Sequence, residues 1–259
     1  MIGLFQQLGE RILESFTRLG ESAGLMGRTV LEVPRLWSAR RELIEQMMRI
    51  GIASLPLVAV SSLFTGMVIA VQTSYQVEKY VPDIFISAAI FKSVIIELSP
   101  VLTALVLSGR VGASIAAELG TMRVTEQIDA METMALDPVR FLVLPRVIAG
   151  TVMMPVIVIY SSSIAIGGSY VICMLYLEMS HQIFMQGFSQ FVYPYDIYSG
   201  VFKSLVFGLT VSTVGCCYGY YAPQGAAGVG QTTTRSVVTN CLLVLIFDYI
   251  LALILFPTG

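Results

Sequence analysis

Two acidic residues, Glu97 and Asp248, stand inside long apolar stretches, where their type and position could do chemistry. At a rise of about 1.5 Å per residue in an α-helix, each acid lies about 18 Å or more from the start of its stretch. A carboxylate at that depth has to face a cavity, a partner or a proton. Two interpretations stay open for both: a hydrogen bond between helices that stabilises the fold, or a position lining a polar path for a substrate or lipid headgroup. Lys92 is a third intramembrane charge, but it lies about 140° around the helix from Glu97 and is not its natural partner.

The other reactive side chains form no recognisable catalytic or metal site. The four cysteines lie in apolar surroundings without zinc-type spacing, and the single histidine, His181, has no second histidine or cysteine near it. A net charge of −2 gives no basic surface of the kind that nucleic-acid binding requires. We therefore expect no catalytic residue, no metal, no cofactor and no nucleic-acid partner. An integral-membrane lipid enzyme is disfavoured too, because it would need clustered His, Asp or Cys.

The composition places these residues in a membrane protein. The chain of 259 residues is 12% charged and 56% hydrophobic, whereas an ordinary soluble domain is about a quarter charged. Five stretches are long enough for the roughly 20 residues that cross a bilayer. They lie at about 50–73, 84–109, 147–177, 204–222 and 236–256. The sequence therefore predicts an all-α integral membrane protein with a five-span domain over 50–259.

The positive charges predict which side of the membrane each end faces. All twelve arginines fall before the first span, around the segment between the second and third spans, or just before the fifth. The opposite side receives only Lys79 and Lys203. Because Lys and Arg concentrate in cytoplasmic loops, the N-terminus is predicted to be cytoplasmic and the C-terminus to lie on the opposite side.

Residues 1–49 are predicted to lie along the membrane surface rather than to cross it. Apolar residues recur there at three- and four-residue spacing opposite polar ones, namely Phe5, Leu8, Ile12, Phe16 and Leu19. This pattern is typical of an amphipathic interfacial helix. A second such stretch, Trp37–Met48, leads into the first span and offers Trp37 as an interface anchor. A soluble cap helix is the alternative.

The segment that follows Glu97 is rich in small residues at helical spacing. They form two rows with four-residue intervals, Gly109, Ala113 and Ala117 in one and Gly112, Ala116 and Gly120 in the other. Such rows let two helix backbones approach closely inside a membrane. Pro100 lacks a backbone donor and predicts a kink one turn after Glu97.

An acidic segment follows the second span. Thr125 is predicted to cap, and Asp137-Pro138 to end, a helix of about eleven residues, which is too short to cross a membrane. Its predicted apolar face consists of Ile128, Met131 and Ala135. A helix that lies on anionic lipid should be basic on its polar face, so a protein groove is the better interpretation. A plain connecting helix is the alternative.

These segments resemble the MlaE/YrbE permease family over essentially the whole chain. Between Glu97 and Arg146 the similar runs are Glu-Leu-Ser-Pro, Ser-Gly-Arg-Val-Gly-Ala, Ala-Glu-Leu-Gly-Thr-Met, Thr-Glu-Gln-Ile-Asp-Ala-Met and Asp-Pro-Val-Arg. A second block, Gly228–Val238, resembles that family's loop before its last span. It departs from the family at Gln231-Thr232, where Arg-Ala is expected.

The resemblance implies the permease of an ABC-type lipid transporter in the bacterial inner membrane. In that family, two permease copies form a homodimer, each copy engages a cytoplasmic ABC ATPase that binds the ATP, and a periplasmic Mce-domain protein shields the phospholipid. The cytoplasmic segment 121–140 would then carry a coupling helix between the second and third spans. Its implied ATPase contacts are Glu126, Gln127, Asp129, Met131, Glu132, Met134, Asp137 and Arg140. Glu97, together with Gln72 and Tyr75, would approach the lipid path.

One alternative from another class stays open. An ion- or proton-coupled secondary transporter could use Glu97 and Asp248 as a relay. Such a transporter predicts an internal inverted repeat, and we see none in the sequence. An ATPase partner would distinguish the two classes.

Overall fold

The computed structural model describes residues 20, 24–77 and 81–256, which contain helices and turns but no β-strand. The α-helices are α1 (24–32), α2 (Arg40–Gly51), α3 (Leu55–Val77), α4 (Asp83–Ser93), α5 (Ser99–Leu107), α6 (Ala113–Val124), α7 (Gln127–Thr133), α8 (Leu144–Leu175), α9 (His181–Phe191), α10 (Pro194–Tyr220) and α11 (Ala226–Leu255). Wider π-helical turns lie at Val94–Leu98, Ser108–Gly112 and Val139–Val143, and tighter 3-10 turns at Val33–Ala39 and Ile52–Ser54. The prediction of an all-α fold is confirmed.

Within the described residues, five continuous helical segments are long and apolar enough to cross a membrane, as the sequence predicts. They are Arg40–Gln76, Asp83–Val124, Val139–Leu175, Pro194–Tyr220 and Ala226–Leu255, and are called the first to fifth spans below. The second, third and fourth spans bury at least half of their most apolar windows, whereas the first and fifth are largely exposed. The three middle spans therefore form the packed centre of the bundle.

Glycines at close helix crossings hold the third span against its neighbours. A Cβ added at Gly66 of the first span would collide with the backbone of Ala165 on the third. A Cβ at Gly208 of the fourth span would lie 2.5 Å from the carbonyl oxygen of Gly150, also on the third. Since neither site has room for a side chain, glycine allows the helix backbones to approach there. The third span thus joins the first to the fourth.

The second helical segment extends well beyond the apolar stretch 84–109 from which its span was predicted. It continues through Arg110 to Val124. Arg110 can lie within this helix because its guanidinium donates a hydrogen bond to the Ser54 hydroxyl, at the start of the first span's membrane segment. A charge that satisfies its donors on a neighbouring helix can remain inside a bundle.

The fifth helical segment begins at Ala226, so the loop expected in the block Gly228–Val238 is instead helical. Gly225, with a φ of 90°, makes the turn that precedes it. The hydroxyls of Thr232 and Thr233 donate to carbonyl oxygens one turn earlier, at 2.9 Å to 3.1 Å for Thr232 and 2.7 Å for Thr233. These bonds satisfy the threonine hydroxyls, and packing of α11 against α6 and α10 outweighs the low helix propensity of the glycines.

The region before the first span is described only in part. The amphipathic helix predicted at Phe5–Leu19 lies outside the described residues. The stretch Trp37–Met48 falls on the 3-10 turn Val33–Ala39 and on α2, which continues through a second 3-10 turn into the first span. Trp37 is largely exposed, with the Arg40 guanidinium 5.7 Å from its ring centroid. Its exposure is compatible with an interface anchor.

The helix α9, between the third and fourth spans, was not predicted from the sequence. Ser180 caps it by accepting a hydrogen bond from the Ile183 N–H at 3.3 Å. Phe184 is buried, and its ring centroid lies 4.9 Å from that of Phe91 on the second span. The Ser N-cap followed by an amphipathic run was the available signal. It is weak, because α9 carries no Asp, Glu, Lys or Arg to mark a polar face.

Candidate functional site

Charged residues from three different spans meet inside the bundle. The Nζ of Lys203 on the fourth span lies 2.6 Å from Glu97 Oε1 on the second and 2.9 Å from Asp248 Oδ1 on the fifth. The Lys203 side chain is fully buried, whereas 41% of the Glu97 side chain and 21% of the Asp248 side chain are exposed. The structure thus joins the two acids singled out from the sequence through one lysine. We call these three residues the charge triad.

The prediction that Lys203 lies in a loop on the side opposite to the arginines is wrong. The fourth span begins at Pro194, which puts Lys203 about two and a half turns inside the helix. A capping box starts this helix, with the Tyr193 N–H donating to the Asp196 carboxylate at 3.0 Å. Proline at the first helical position and an acid shortly after it are helix-start signals. A search for uncharged stretches overlooks these helix-start signals, because it begins the fourth span only after the charge of Lys203.

Glu97 lies in an irregular stretch of the second span's helix. Glu97 belongs to the π-helical turn Val94–Leu98, and Pro100 follows in the first turn of α5. Because Pro100 has no N–H, it cannot complete the α-helical ladder, and a wider turn accommodates the missing donor. Gly200 of the fourth span lies directly against the Ile95 carbonyl oxygen of the same turn. The irregularity expected at Pro100 is therefore present, and it lies against the helix that carries Lys203.

An apolar cleft opens beside Glu97, between the second and fifth spans. It has a volume of ≈ 380 Å³ and is lined by Ile96, Glu97, Tyr249, Ala252, Leu253 and Phe256. Glu97 is the charged member of this lining. The Tyr195 hydroxyl donates to the Leu255 carbonyl at 2.6 Å and so fixes the end of the fifth span to the fourth. An apolar wall with one polar group is suited to an amphiphilic ligand.

The other residues predicted near the lipid path, and the third intramembrane charge, lie elsewhere. Gln72 and Tyr75 are on the exposed surface of the first span, Tyr75 with 88% exposure, and neither lines the cleft. The Lys92 ammonium lies 3.7 Å from an Asp196 carboxylate oxygen and 5.3 Å from the Tyr193 ring centroid. Lys92 thus contacts the start of the fourth span and pairs with Asp196 rather than Glu97.

The two small-residue rows of the second span have different surroundings. The buried row comprises Gly112 and Gly120, with Ala116 between them. The more exposed row comprises Gly109, Ala113 and Ala117. A Cβ at Gly112 would lie 2.5 Å from the side-chain nitrogen of Asn240 on the fifth span, whereas one at Gly109 would meet nothing within 4 Å. One row therefore packs within the chain, and the other faces outward.

The short helix α7 presents acids at its surface between the second and third spans. Ile128 is fully buried and anchors the helix. Asp129 accepts a hydrogen bond from Arg123 of the second span at 2.5 Å, and Glu132 accepts one from the Tyr220 hydroxyl of the fourth span at 3.4 Å. Of the residues implied as ATPase contacts, Glu126, Gln127, Asp129, Glu132, Met134 and Asp137 are exposed, and Met131 and Arg140 are half-buried. This end of the bundle thus offers an exposed acidic helix.

The start of α7 differs from the predicted one. The Thr125 hydroxyl donates to the Thr121 carbonyl at 2.8 Å and so belongs to the end of the preceding helix. The N-cap position is Glu126, whose φ of 59° lies in the left-handed region. Thr125 is therefore not the N-cap, because its hydroxyl is engaged one turn back instead of with α7.

The end of α7 also differs. The helix stops at Thr133, and Ala135, with a φ of 58°, turns the chain into the left-handed region. The Asp137 carboxylate accepts the Val139 N–H at 2.9 Å. The prediction that Asp137-Pro138 ends α7 is thus wrong. The pair begins the third span, where an Asp cap followed by Pro suits a helix start.

The described residues contain no group of three or more His, Cys, Asp or Glu residues that could hold a metal ion. Their cysteines are free, with Cys173, Cys216 and Cys217 buried and Cys241 half-buried. The polar chemistry of the described chain therefore lies in ion pairs between helices and in exposed acids.

Five apolar spans, an ionic cluster between them and an apolar cleft beside that cluster define a multi-pass helical membrane protein with an internal polar site. Comparison with known proteins narrows this class. The chain belongs to the MlaE permease family, because the family model described as Permease MlaE matches residues 43–254. The matched region includes the charge triad and α7.

Relatives match along most or all of the chain, and two of the three described here are named for transport. A probable ABC transporter permease protein of Rickettsia bellii is 36% identical over 258 residues, which cover 99% of each chain. The intermembrane phospholipid transport system permease protein MlaE of Haemophilus influenzae is 31% identical over 260 residues, covering 100% of each. The chloroplastic protein TRIGALACTOSYLDIACYLGLYCEROL 1 of Arabidopsis thaliana is 32% identical over 228 residues, covering 88% of this chain and 65% of its own. The protein is an ABC transporter permease of the MlaE family.

Proposed function

We propose that this permease is the membrane subunit of an ATP-driven transporter that moves phospholipid between the bacterial inner membrane and a periplasmic Mce-domain protein. Its family supports this assignment, as does its similarity to a Haemophilus protein named for intermembrane phospholipid transport. The permease itself would make and break no covalent bond. Its work would be to open and close a path for lipid.

The observation that carries the ATP-driven part of the proposal is the acidic surface of α7. Glu126, Asp129 and Glu132 are exposed on a short helix that Ile128 anchors in the bundle. In the proposed complex, α7 inserts into a groove of a cytoplasmic ABC ATPase, as short helices commonly do in protein grooves. This arrangement puts the N-terminus in the cytoplasm and the C-terminus in the periplasm, as the arginine distribution predicts.

The cleft beside Glu97 is the proposed site for part of the lipid. Its apolar lining can take hydrocarbon out of water, and Glu97 offers a polar group at its wall. Gln72 and Tyr75, on the exposed face of the first span, are proposed to meet lipid outside the cleft. The outward-facing row of Gly109, Ala113 and Ala117 provides a surface for the second copy in a homodimer. ATP hydrolysis would rock the two copies and alternately open and close the path.

The coupling role of α7 can be tested with the triple variant Glu126→Gln, Asp129→Asn and Glu132→Gln. We expect the variant to reach the membrane but to lose the ATPase in a pull-down from mild detergent, together with ATP-dependent lipid transfer. Glu178→Gln, at an exposed acid between the third and fourth spans, is the matched control and should retain both. Full co-purification of the ATPase with the triple variant, and hydrolysis that responds to lipid as before, would overturn the coupling role.

The charge triad favours one alternative, an ion- or proton-coupled secondary transporter. Lys203 joins Glu97 and Asp248 into a chain of ionisable groups inside the bundle. This alternative predicts that an ion gradient moves the substrate in proteoliposomes without any nucleotide. The ATP-driven proposal predicts no net transfer under those conditions, and transfer driven by the gradient alone would replace it with the alternative.

A further inference from the structure

A second ionic cluster, at the α7 end of the bundle, joins three spans through Glu118. Glu118 Oε2 lies 3.0 Å from an Nη of Arg146 at the start of the third span, and Glu118 Oε1 pairs with Arg49 of α2. Arg146 is buried, and its other Nη donates to the Leu142 carbonyl at 2.6 Å. Arg49 is half-exposed and also lies 3.7 Å from Glu45 of its own helix. We call Arg49, Glu118 and Arg146 the Glu118 clamp.

A second contact, two turns away from the clamp, ties the 3-10 turn that follows α2 to the second span. Arg110 donates to the Ser54 hydroxyl, which itself donates to the Ile50 carbonyl at 2.5 Å. The clamp therefore holds the body of α2 against the second span, and the Arg110–Ser54 bond holds the turn at the end of α2. Between α2 and the rest of the first span lies the 3-10 turn Ile52–Ser54. A short 3-10 segment within a long helix is a common place for a hinge.

The helix that carries Glu118 also carries the attachment of α7. On α6, Arg123 follows Glu118 by little more than one turn and holds Asp129 of α7 at 2.5 Å. A displacement of α7 is therefore delivered to α6 through its chain connection and this pair. From α6 it reaches Arg49 of α2 and Arg146 of the third span through the Glu118 carboxylate, in addition to the chain that leads from α7 directly into the third span.

We propose that Glu118 is a positioning residue, which makes α2 and the start of the third span follow α6 when α7 is moved by the ATPase. The first span then bends at the turn Ile52–Ser54 and transmits the movement toward the lipid path. This inference rests on the proposed function, because that function supplies the partner that moves α7. It adds a route from the coupling helix to the first span, which the α7 surface by itself does not provide.

Variants of Arg49 can separate an effect on coupling from an effect on folding. Glu118→Gln would leave the buried Arg146 without its ion partner, so this variant confounds a folding defect with a coupling defect. Arg49→Gln leaves the Arg146–Glu118 pair in place and releases only α2. Arg49→Lys keeps a cation for Glu118, and Glu45→Gln removes only the exposed second partner of Arg49.

The test uses the purified permease–ATPase complex reconstituted in vesicles and measures fluorescent phospholipid transferred per ATP hydrolysed. Arg49→Gln should retain the ATPase and its hydrolysis but lower transfer per ATP about tenfold, within the usual range of coupling between sites. Arg49→Lys should restore most of the transfer, and Glu45→Gln should behave as wild type. An unchanged ratio in Arg49→Gln, loss of the ATPase from it, or failure of Arg49→Lys to restore transfer would overturn the clamp.

A distance measurement decides the same question without lipid transfer. Spin labels at Ile44 on α2 and Thr121 on α6, in a Cys241→Ser background, report whether the two helices move together. The clamp predicts one narrow distance with and without ATP, and a broadened or shifted distance on ATP addition in Arg49→Gln. Equal nucleotide-dependent shifts of this distance in wild type and Arg49→Gln would refute the proposed role of the Glu118 clamp. If wild type moves no phospholipid, the proposed function fails, and these distances still decide whether Glu118 keeps the helices together.

Discussion

Lys203 and Arg123 both pair with acids, but Lys203 does so inside the bundle and Arg123 does so at its surface. Lys203 is fully buried between Glu97 and Asp248, whereas Arg123 and its partner Asp129 on α7 are each exposed by a third or more. Removing one partner of a buried ion pair costs about 3–5 kcal/mol, because the remaining charge stays in a low dielectric. An exposed pair contributes about 0–1 kcal/mol. The triad should therefore matter for holding the spans together, and the α7 charges for meeting a partner.

The largest expected effect is at the centre of the triad. Lys203→Met leaves Glu97 and Asp248 facing each other without a cation, and we expect it to lower the free energy of unfolding by about 3 kcal/mol or more. The measurement is thermal unfolding of the purified permease in detergent. Lys92→Met is the control, because Lys92 is 40% exposed and its buried partner Asp196 keeps the hydrogen bond from the Tyr193 N–H. Loss of Lys92 should therefore cost about 1 kcal/mol or less.

A variant in which all three triad members are neutral tests whether it is the uncompensated charge that lowers the stability. Replacing all three members, as Lys203→Met with Glu97→Gln and Asp248→Asn, removes the uncompensated charges that the single variant leaves behind. Part of the lost stability should return, since a buried ionic group can often be replaced by neutral residues at little cost. If Lys203→Met melts like wild type, or if the neutral triad is no better than Lys203→Met, the triad does not hold the spans.

An intermediate effect is expected at the glycines that set helix distances. Gly66→Ala puts a methyl group into the backbone of Ala165, so we expect about 1–3 kcal/mol of destabilisation from overpacking. Gly167→Ala, on α8 of the third span, is the matched control, because nothing lies within 4 Å of its Cβ position. That change should be neutral or stabilise the helix by about 0.5–1 kcal/mol. Equal melting temperatures for the two variants would show that the close crossing of the first and third spans does not limit stability.

The smallest effect on stability is expected at α7. The three exposed acids Glu126, Asp129 and Glu132 can be neutralised together for about 1 kcal/mol or less, because the Arg123–Asp129 pair is exposed and the other contacts are weak. The same variant should lose the ATPase in the pull-down. A large drop in melting temperature would instead assign these acids to the fold and remove the contrast with the triad.

Much of this fold follows from composition, because five apolar stretches of membrane length leave few other arrangements. The depth of Glu97 and Asp248 was also visible, and so was the exposure of the acids beside Ile128. Lys203 was missed because the fourth span was started directly after that charge, although the Pro194 and Asp196 helix-start signal was present. Which residue neutralises a buried acid depends on how three helices pack, and that information is not local in the sequence.

The ends of helices were the least predictable features. Gly225 makes the turn before α11, and Gly228 lies in the first turn of that helix. From the glycine-rich composition alone, both residues are predicted to belong to one loop. Asp137-Pro138 fits the end of α7 as well as the start of the third span, and only the bond from the Val139 N–H selects the second. The Glu118 clamp was invisible for a similar reason, since Arg49, Glu118 and Arg146 are brought together only by packing of three spans.

ATP-dependent phospholipid transfer by the complete complex is the most direct test of the central claim. The permease would be purified with its ATPase, reconstituted with labelled phospholipid, and offered a soluble Mce-domain acceptor. We predict that labelled phospholipid passes between membrane and acceptor only when ATP is hydrolysed, and that the α7 triple variant abolishes this transfer while Glu178→Gln preserves it. Transfer that proceeds equally without nucleotide, or hydrolysis that moves no phospholipid in either direction, would contradict the account.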